Sequence, residues 1–226
     1  GTVGLQGVAS VLTGEVSPSG HLPDTYAVSS VSSPAMVNFG SYTFTNATED
    51  NFGASNYSGS NYLVESEGIY TGYKYYETRY EDTVLKQGNA DSAAGASNDN
   101  GTWNYDEEVS YGFGYGLSYT TFEQNIKNFD YEGDSVTVSV EVKNTGDVAG
   151  KDVVQLYVQT PYTDYDKENN VEKASVQLAG FEKTKELKPG ESETVEVTAP
   201  KEYFASYDYT TAKTYIMDAG DYYFAV

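Results

Sequence analysis

The clearest pattern in this chain is the alternation of valine with polar residues between residues 135 and 143. Four valines occupy every second position, at Val136, Val138, Val140 and Val142. A period of two places successive side chains on opposite faces of an extended strand. The segment is therefore predicted to be a strand with one face in a core and the other toward solvent.

Shorter runs of strand-forming residues follow the alternating segment. We predict further strands over residues 153–158, 176–181, 193–198 and 222–226, with turns at Asn144–Asp147 and Pro189–Gly190. Several short strands with a turn every ~8–12 residues are typical of an immunoglobulin-like or fibronectin-III-like β-sandwich. Residues 120–226 are predicted to form such a domain.

The first 119 residues have a weaker pattern. Val3, Val8, Val11 and Leu12 lie near helical spacing, and Gly14 is suited to ending a helix. The prolines of Ser17–Pro23 then predict a turn-rich segment. Residues 29–62 are rich in Ser, Asn, Gly and Tyr, which predicts a long surface loop with short strands near residues 37–44. A loop of this length usually has a function or lies on a partner.

Composition excludes several classes of function. The 38% hydrophobic content, with 23 Tyr and 9 Phe, is enough for a core, and the net charge of −21 disfavours nucleic acid and anionic membranes as partners. The chain has no cysteine, so disulfides and thiol chemistry are excluded. It shows neither a membrane-spanning apolar run nor a signal peptide. Cytoplasmic and secreted locations both stay open.

Two segments combine glycine with aromatic residues. Residues 111–122 read Tyr-Gly-Phe-Gly-Tyr-Gly-Leu-Ser-Tyr-Thr-Thr-Phe, and residues 67–76 read Glu-Gly-Ile-Tyr-Thr-Gly-Tyr-Lys-Tyr-Tyr. The first predicts an extended segment whose rings pack on one surface while its bare backbone passes close to another part of the chain. For the second, a structural strap between domains is favoured over a sugar-binding surface.

Together with Leu12–Pro23, Val140–Pro161 and Leu178–Thr194, these segments resemble the C-terminal part of family 3 glycoside hydrolases, which include β-glucosidases and β-xylosidases. The five blocks occur in the family's order and span nearly the whole chain. The main departures are Ser17 where the family has Asn, His21 where it has Arg or Lys, and Gly112 where it has Pro.

The resemblance implies a mainly β fold with a preceding partial α/β segment. Residues 1–28 would be the remnant of an α/β sandwich domain, residues 29–119 an extended loop and linking strap, and residues 120–226 the fibronectin-III-like sandwich. In the family, a TIM-like barrel carries the nucleophilic aspartate, and the α/β sandwich usually contributes the acid/base. Both the conventional and the permuted domain order of the parent stay open.

Retaining glycoside hydrolysis needs two carboxylates ~5–5.5 Å apart. The family's nucleophile lies in a Ser-Asp-Trp-like segment, which the surroundings of Trp103 do not match, and its acid/base lies upstream of the Pro-Ser-Gly turn. We therefore predict no catalytic residue here and expect the isolated chain to be inactive. No cofactor and no metal site are predicted, because His21 is the sole histidine and the acidic segments Thr48–Asn51 and Asp164–Glu168 do not fit an EF-hand loop.

The leading hypothesis is a non-catalytic part of a family 3 β-glucosidase-like enzyme, whose parent hydrolyses terminal β-D-glycosidic bonds with retention. Its partners would be the parent's barrel and α/β sandwich. The Tyr-rich loop of residues 38–62 would rim the substrate cleft and contact an oligosaccharide through Tyr42, Phe44, Phe52 and Tyr57. The alternative is an independent carbohydrate-binding or adhesion module whose exposed Tyr rings stack on sugars. An autonomous hydrolase is the third hypothesis.

Overall fold

A computed structural model describes residues 2–37, 39–45, 61–65, 67–86, 96–97 and 101–226. The chain divides into two compact units. The first unit comprises Gly1–Thr25 and Tyr111–Val226, and the second comprises Tyr26–Ser110. The first unit therefore joins the N-terminal segment to the predicted sandwich.

The secondary structure is mainly β. The α-helices in the described ranges are α1 (Thr2–Leu12), α2 (Pro34–Val37), α3 (Tyr73–Tyr80), α4 (Tyr105–Glu108) and α5 (Asp164–Asn169). Short 3-10 helices cover Ser30–Ser32 and Lys201–Phe204, and a π-helical turn covers Glu81–Leu85. The strands there are β1 (Tyr26–Ala27), β2 (Tyr42–Thr43), β3 (Asn61–Tyr62), β4 (Val109–Tyr111), β5 (Phe122–Asp130), β6 (Ser135–Asn144), β7 (Val153–Gln159), β8 (Gln177–Lys183), β9 (Ser192–Pro200), β10 (Ser206–Asp208), β11 (Thr214–Ile216) and β12 (Tyr223–Ala225). Within these ranges, no helix has the length and apolar character needed to span a bilayer.

The first unit contains two three-stranded antiparallel sheets, with strand orders β5-β6-β9 and β12-β7-β8. On β6, Val140 lies opposite Ile126 of β5 and Val195 of β9. Strands β10 and β11 form a separate antiparallel pair. This arrangement confirms the predicted mainly β sandwich, although β5, β10 and β11 were not predicted as individual strands.

The core of the first unit follows from the valine alternation. Val138, Val140 and Val142 are fully buried, whereas the polar positions between them are not. Strand β7 alternates in the same way. The buried core comprises Val136, Val138, Val140, Val142, Val154, Leu156, Val158, Leu187, Val197, Ala199 and Phe204. Because β-branched side chains pack well on a pleated sheet, this composition stabilises the strands as well as the core.

Asn144, at the end of β6, connects three parts of the first unit. Its buried Oδ1 accepts hydrogen bonds from Thr120 Oγ1 at 2.7 Å and from Gly146 N at 3.1 Å. Its Nδ2 donates to Val148 O and Leu187 O, both at 2.8 Å. These bonds use both amide donors of the side chain and its acceptor. They tie the predicted turn to the residues before β5 and to the connection between β8 and β9.

The glycine-rich segment before β5 packs against the N-terminal turn within the first unit. Leu22 N donates to Tyr115 O at 2.8 Å, and Gly114 N donates to Leu22 O at 2.9 Å. A Cβ atom on Gly116 would lie 2.7 Å from Gly20 O. Real side chains do not tolerate so short a distance, so the close approach predicted from the bare backbone is present here.

The second unit has an aromatic core, and the last part of the predicted strap, from Tyr73 onward, is helical. Tyr75 and Tyr76 of α3 are buried together with Trp103. Gly72, with φ of +54°, precedes the helix. Tyrosine is a modest helix former and the segment lacks an apolar stripe, so the sequence showed no helical period. Packing of the two tyrosines stabilises a helix that the residues themselves favour only weakly.

A second correction concerns the acidic segment Asp164–Glu168, which was considered as an acidic loop. It lies in α5, where Thr163 and Asp166 form a reciprocal capping box. Thr163 N donates to Asp166 Oδ2 at 2.7 Å, and Asp166 N donates to Thr163 Oγ1 at 3.3 Å. The caps satisfy donors that would otherwise be unpaired at the start of a helix. Thr48–Asn51 lies outside the described residues.

Candidate functional site

Three aromatic rings of the second unit form an exposed cluster, which we call the ring cluster: Tyr42, Phe44 and Tyr62. Strands β2 and β3 place Tyr42 directly opposite Tyr62. Their rings are stacked with centroids 5.5 Å apart, and the Phe44 ring lies 4.7 Å from that of Tyr62. The three side chains are between 36% and 40% exposed. Aromatic rings offer apolar surface, and Tyr42 and Tyr62 add hydroxyl groups, a combination that suits contact with a sugar ring.

The ring cluster contains two of the four predicted substrate-binding residues, Tyr42 and Phe44. The other two, Phe52 and Tyr57, lie outside the described residues. Tyr62 was missed by sequence reasoning, although it begins a short strand-prone run ending at Val64. The signal was weak because pairing across a long loop cannot be inferred from spacing. The role of these residues in substrate binding stays a prediction.

Glu77 of α3 has a defined hydrogen-bond partner in the second unit. Tyr105 Oη donates to Glu77 Oε1 at 2.6 Å, and the Tyr105 ring packs edge-on against Tyr80. Burial raises the pKa of the Glu77 carboxyl, and the hydrogen bond from Tyr105 opposes this. Burial also raises the pKa of the Tyr105 hydroxyl, with Glu77 adding to the effect. The pair belongs to the packing of the second unit, and we assign it no catalytic role.

The chain's only tryptophan is part of the same core. Trp103 is buried, and the guanidinium carbon of Arg79 lies 5.2 Å from the centre of its ring. Arg79 also lies 5.7 Å from the ring of Tyr75. A cation over aromatic faces contributes about 0.5–2 kcal/mol, more when water is excluded. Trp103 therefore stabilises the unit and is not an open platform for a sugar.

In the first unit, Lys173 is a buried cation held by two carboxylates. Its Nζ donates to Asp166 Oδ2 at 2.8 Å, to Asp218 Oδ2 at 2.5 Å and to Pro161 O at 2.8 Å. These bonds use all three ammonium protons. The group joins α5 to the segment before β12, so its role is to hold these segments together.

Asp208, at the end of β10, is likewise buried and fully engaged. Its carboxylate accepts hydrogen bonds from Tyr165 Oη at 2.6 Å and from the backbone N–H groups of Thr210, Thr211 and Ala212, each at 2.9 Å. The Tyr165 hydrogen bond and the backbone donors lower the pKa of Asp208 to about 2. The carboxylate thus shapes a turn, and its hydrogen-bonding capacity is used within the fold.

His21, the only histidine in the sequence, hydrogen-bonds to a backbone carbonyl group. Its Nδ1 lies 2.6 Å from Gly114 O, which places the proton on Nδ1, and its Nε2 lies 3.9 Å from Asp152 Oδ1. The ring therefore secures the contact between the N-terminal turn and the glycine-rich segment. Over the described ranges, no three His, Cys, Asp or Glu side chains are grouped so as to hold a metal ion.

Known proteins resemble this chain in sequence. The family described as a fibronectin type III-like domain matches residues 152–226, which include β7 through β12. A β-glucosidase of Ruminococcus albus is 33% identical over 99% of this chain, which spans 19% of that relative's length.

Solved structures agree with the sequence comparison. The crystal structure of a β-glucosidase from Paenibacillus barengoltzii has 33% identity and a TM-score of 0.70 over 96% of this chain. A GH3 β-glucosidase from Bifidobacterium adolescentis has 27% identity and a TM-score of 0.66 over 96% of it. The chain resembles the C-terminal part of family 3 glycoside hydrolases in sequence and in structure, which confirms the resemblance read from its motifs. It spans 19% and 25% of those two structures.

Proposed function

We propose that this chain is a non-catalytic structural part of a family 3 glycosidase and buttresses the domains that carry out hydrolysis. The parent would cleave terminal β-D-glycosidic bonds with retention of configuration. The observation that carries the proposal is that nearly the whole chain aligns with about a fifth of a β-glucosidase. The glycosidase's remaining domains would be the partners of this chain.

An apolar stripe on α1 supports a buttressing role. Leu5, Val8 and Leu12 are 70%, 54% and 78% exposed. Their spacing of three and four residues places them on one face of the helix. A helix that is apolar on one face is normally covered by another element. The parent's α/β sandwich domain is the surface that this stripe would contact.

The proposal is tested in the full-length enzyme with the double substitution Leu5→Lys and Leu12→Lys. We expect a lower thermal midpoint and lower turnover of an aryl β-glucoside, because two charges would be buried against the α/β domain. The matched control is Gln6→Lys, which adds a charge to the same helix outside the stripe. Equal effects of the stripe and control variants would contradict the proposal, as would turnover by the isolated 226-residue chain.

The ring cluster is proposed to rim the substrate cleft of the parent. Replacing Tyr42 and Phe44 with Ala in the full-length enzyme is expected to raise KM for oligosaccharides while kcat changes little, since the rings would bind ground state and transition state alike. Tyr26→Ala, which removes an exposed tyrosine from β1, is the control. A fall in kcat at constant KM would contradict this placement.

The exposed rings of the cluster also favour a second function, an independent carbohydrate-binding module. Isothermal titration of the isolated chain with glucose, cellobiose and xylo-oligosaccharides separates the two. The structural proposal predicts no saturable heat with any of these sugars. Saturable binding that is lost in Tyr42→Ala would establish the binding module instead.

A further inference from the structure

A buried lysine of the first unit lies against two carboxyl groups that are themselves removed from water. Lys173 Nζ is 2.5 Å from Asp218 Oδ2 and 2.8 Å from Asp166 Oδ2. The exposed fractions of the side chains are 5% for Lys173, 12% for Asp218 and 0% for Asp166. Burying an ion pair costs free energy, because both charges lose their contact with water. An amine and a carboxyl group held this close are also the two reactants of amide formation.

The distance between Lys173 and Asp218 suits attack on the carboxyl carbon. Since a C–O bond is about 1.2 Å long, Cγ of Asp218 lies no more than about 3.7 Å from Lys173 Nζ. Reacting atoms in productive arrangements are about 3–3.5 Å apart. Tyr222 Oη donates to Asp218 O at 2.9 Å, which helps to fix the backbone that carries the target carboxyl group. The fold therefore holds the amine and its target at contact distance.

Asp166 is placed to move protons between them. Its Oδ2 accepts hydrogen bonds from Thr163 N at 2.7 Å, from Thr163 Oγ1 at 3.0 Å and from Lys173 Nζ at 2.8 Å. Its Oδ1 is buried and has no hydrogen-bond partner in the described part of the chain. A proton on Oδ1 would leave the bonds of Oδ2 in place. Asp166 can thus take a proton from the ammonium group, which leaves a neutral amine that acts as a nucleophile.

We infer that Lys173 and Asp218 condense to an amide that cross-links the sandwich, with Asp166 transferring protons. The nitrogen of Lys173 forms a bond to Cγ of Asp218, and the bond from Cγ to one carboxyl oxygen breaks. Two protons leave the nitrogen, one of them by way of Asp166, and depart with that oxygen as water. An ammonium and a carboxylate become an amide and water, so the step needs no oxidant or cofactor, and Asp166 ends as a carboxylate.

Two effects favour the amide at this position. The reactants belong to one folded chain, so their effective concentration is high. A neutral amide also replaces two charges that are costly to keep away from water. The bond would join residues 45 positions apart and close a loop that contains β8 to β11. It would restrict the unfolded chain as a disulfide does, in a chain that has no cysteine.

Mass spectrometry of the full-length enzyme, denatured and digested with trypsin, tests for the bond. Trypsin cleaves after lysine but not after a lysine whose ε-amine is acylated. We expect a branched peptide in which residues 168–183, uncut at Lys173, are joined to the peptide that begins at Thr214. Its mass should be lower than the sum of the two peptides by one water molecule. Cleavage after Lys173, with recovery of unbranched peptides alone, would overturn the inference.

Two variants identify the groups that react, and a third is the matched control. Lys173→Arg keeps a cation between the carboxylates but removes the amine, so unbranched peptides alone are expected. Asp166→Asn cannot take up the proton and should leave mainly unbranched peptides, because general acid–base catalysis contributes on the order of 100-fold or more. Lys167→Arg, at an exposed lysine of α5, should give the wild-type yield of branched peptide.

A branched peptide from Lys173→Arg, or a wild-type yield from Asp166→Asn, would contradict the roles given to these side chains. The wild-type digest decides for or against the bond even where a variant fails to fold. Peptide masses are read after denaturation and need no catalytic activity, so failure of the buttressing proposal would be separately visible.

Discussion

The two compact units bury their interiors with different side chains. In the first, the valines of β6 meet Val154, Leu156 and Val158 of β7. In the second, the buried hydrophobic residues are Tyr75, Tyr76 and Trp103. Valine has no polar side-chain atom, whereas tyrosine and tryptophan bring a hydroxyl or an N–H, and burying such a group without a hydrogen bond costs free energy. The first core therefore depends mainly on shape and alternation, and the second also on specific polar contacts.

The buried polar groups differ as well. In the first unit, Asn144 and Lys173 each connect several segments that are far apart in sequence. In the second, the Tyr76 hydroxyl lies 3.0 Å from Ser32 Oγ, and Trp103 Nε1 is buried without a hydrogen-bond partner in the described part of the chain. From this difference we expect that removing a buried polar group lowers the free energy of unfolding most where its side chain joins many segments.

The largest effect is expected from Lys173→Met. Removing the ammonium group leaves Asp166 and Asp218 close together without their shared cation, and breaking a buried ion pair costs about 3–5 kcal/mol. Urea denaturation should show this loss in the free energy of unfolding. Lys167→Met, which removes an exposed lysine paired with Asp164, is the control and should change little. A loss of unfolding free energy below about 1 kcal/mol for Lys173→Met would contradict the claim that the first unit depends strongly on its buried polar groups.

Asn144→Ala should come next, with a loss of about 3 kcal/mol. The substitution removes the hydrogen-bond partner of the Thr120 hydroxyl, of Gly146 N and of Val148 O, whereas Leu187 O keeps Gly150 N as a donor. Each buried group left unsatisfied costs about 1–3 kcal/mol. Thermal or urea unfolding measures the change. Asn125→Ala on β5, whose amide bonds only the exposed Glu123 side chain, should be close to neutral and serves as the comparison. Similar losses for both variants would show that the buried network is not the cause.

In the second unit, Tyr76→Phe should cost only about 1 kcal/mol, a typical value for one hydrogen bond. The ring stays in the core, and Ser32 Oγ can still donate to Ser29 O, 2.9 Å away. Differential scanning calorimetry should resolve this from Tyr26→Phe, which alters an exposed tyrosine. A loss of unfolding free energy as large as that of Asn144→Ala would mean that the second unit also depends on buried polar side chains that join several segments.

Asp208→Asn is expected to change the acid dependence of stability. The carboxylate has a pKa of about 2 in the folded chain, below its ordinary value of about 3.9. Its stabilising contribution is complete above pH 4 and is lost as the pH falls toward 2. The variant should be less stable at pH 7 and lose less stability between about pH 4 and 2. Asp164→Asn, on the exposed side of α5, should keep the wild-type slope.

The sandwich was predictable because its pattern is local. Alternation in β6 reports burial directly, since the side chains of a strand point to opposite faces in turn. The turn at Asn144 was also readable from its residue types, but its hydrogen bond to Leu187 O joins positions that no spacing relates. Helix α5 was missed although Thr163 and Asp166 offered a capping signal in the sequence.

The second unit and its ring cluster were less predictable for physical reasons. Helix α3 is stabilised by burial of Tyr75 and Tyr76, a tertiary effect that exceeds their helix propensity. Tyr42 and Phe44 were named as candidate substrate-binding residues because they lie in a long loop rich in aromatic residues. Their neighbour Tyr62 enters the cluster only through the pairing of β2 with β3, which depends on the fold of the intervening chain.

The backbone contact of Leu22 with Gly114 and Tyr115 has a practical consequence for engineering. It brings residues 22 and 114 side by side in one unit, although the chain between them includes all of the other unit. The two ends of that intervening stretch therefore leave the first unit at neighbouring positions, as the ends of an inserted domain do. Exchanging residues 26–110 for a linker of about four to six residues should leave a shorter protein that keeps the valine core.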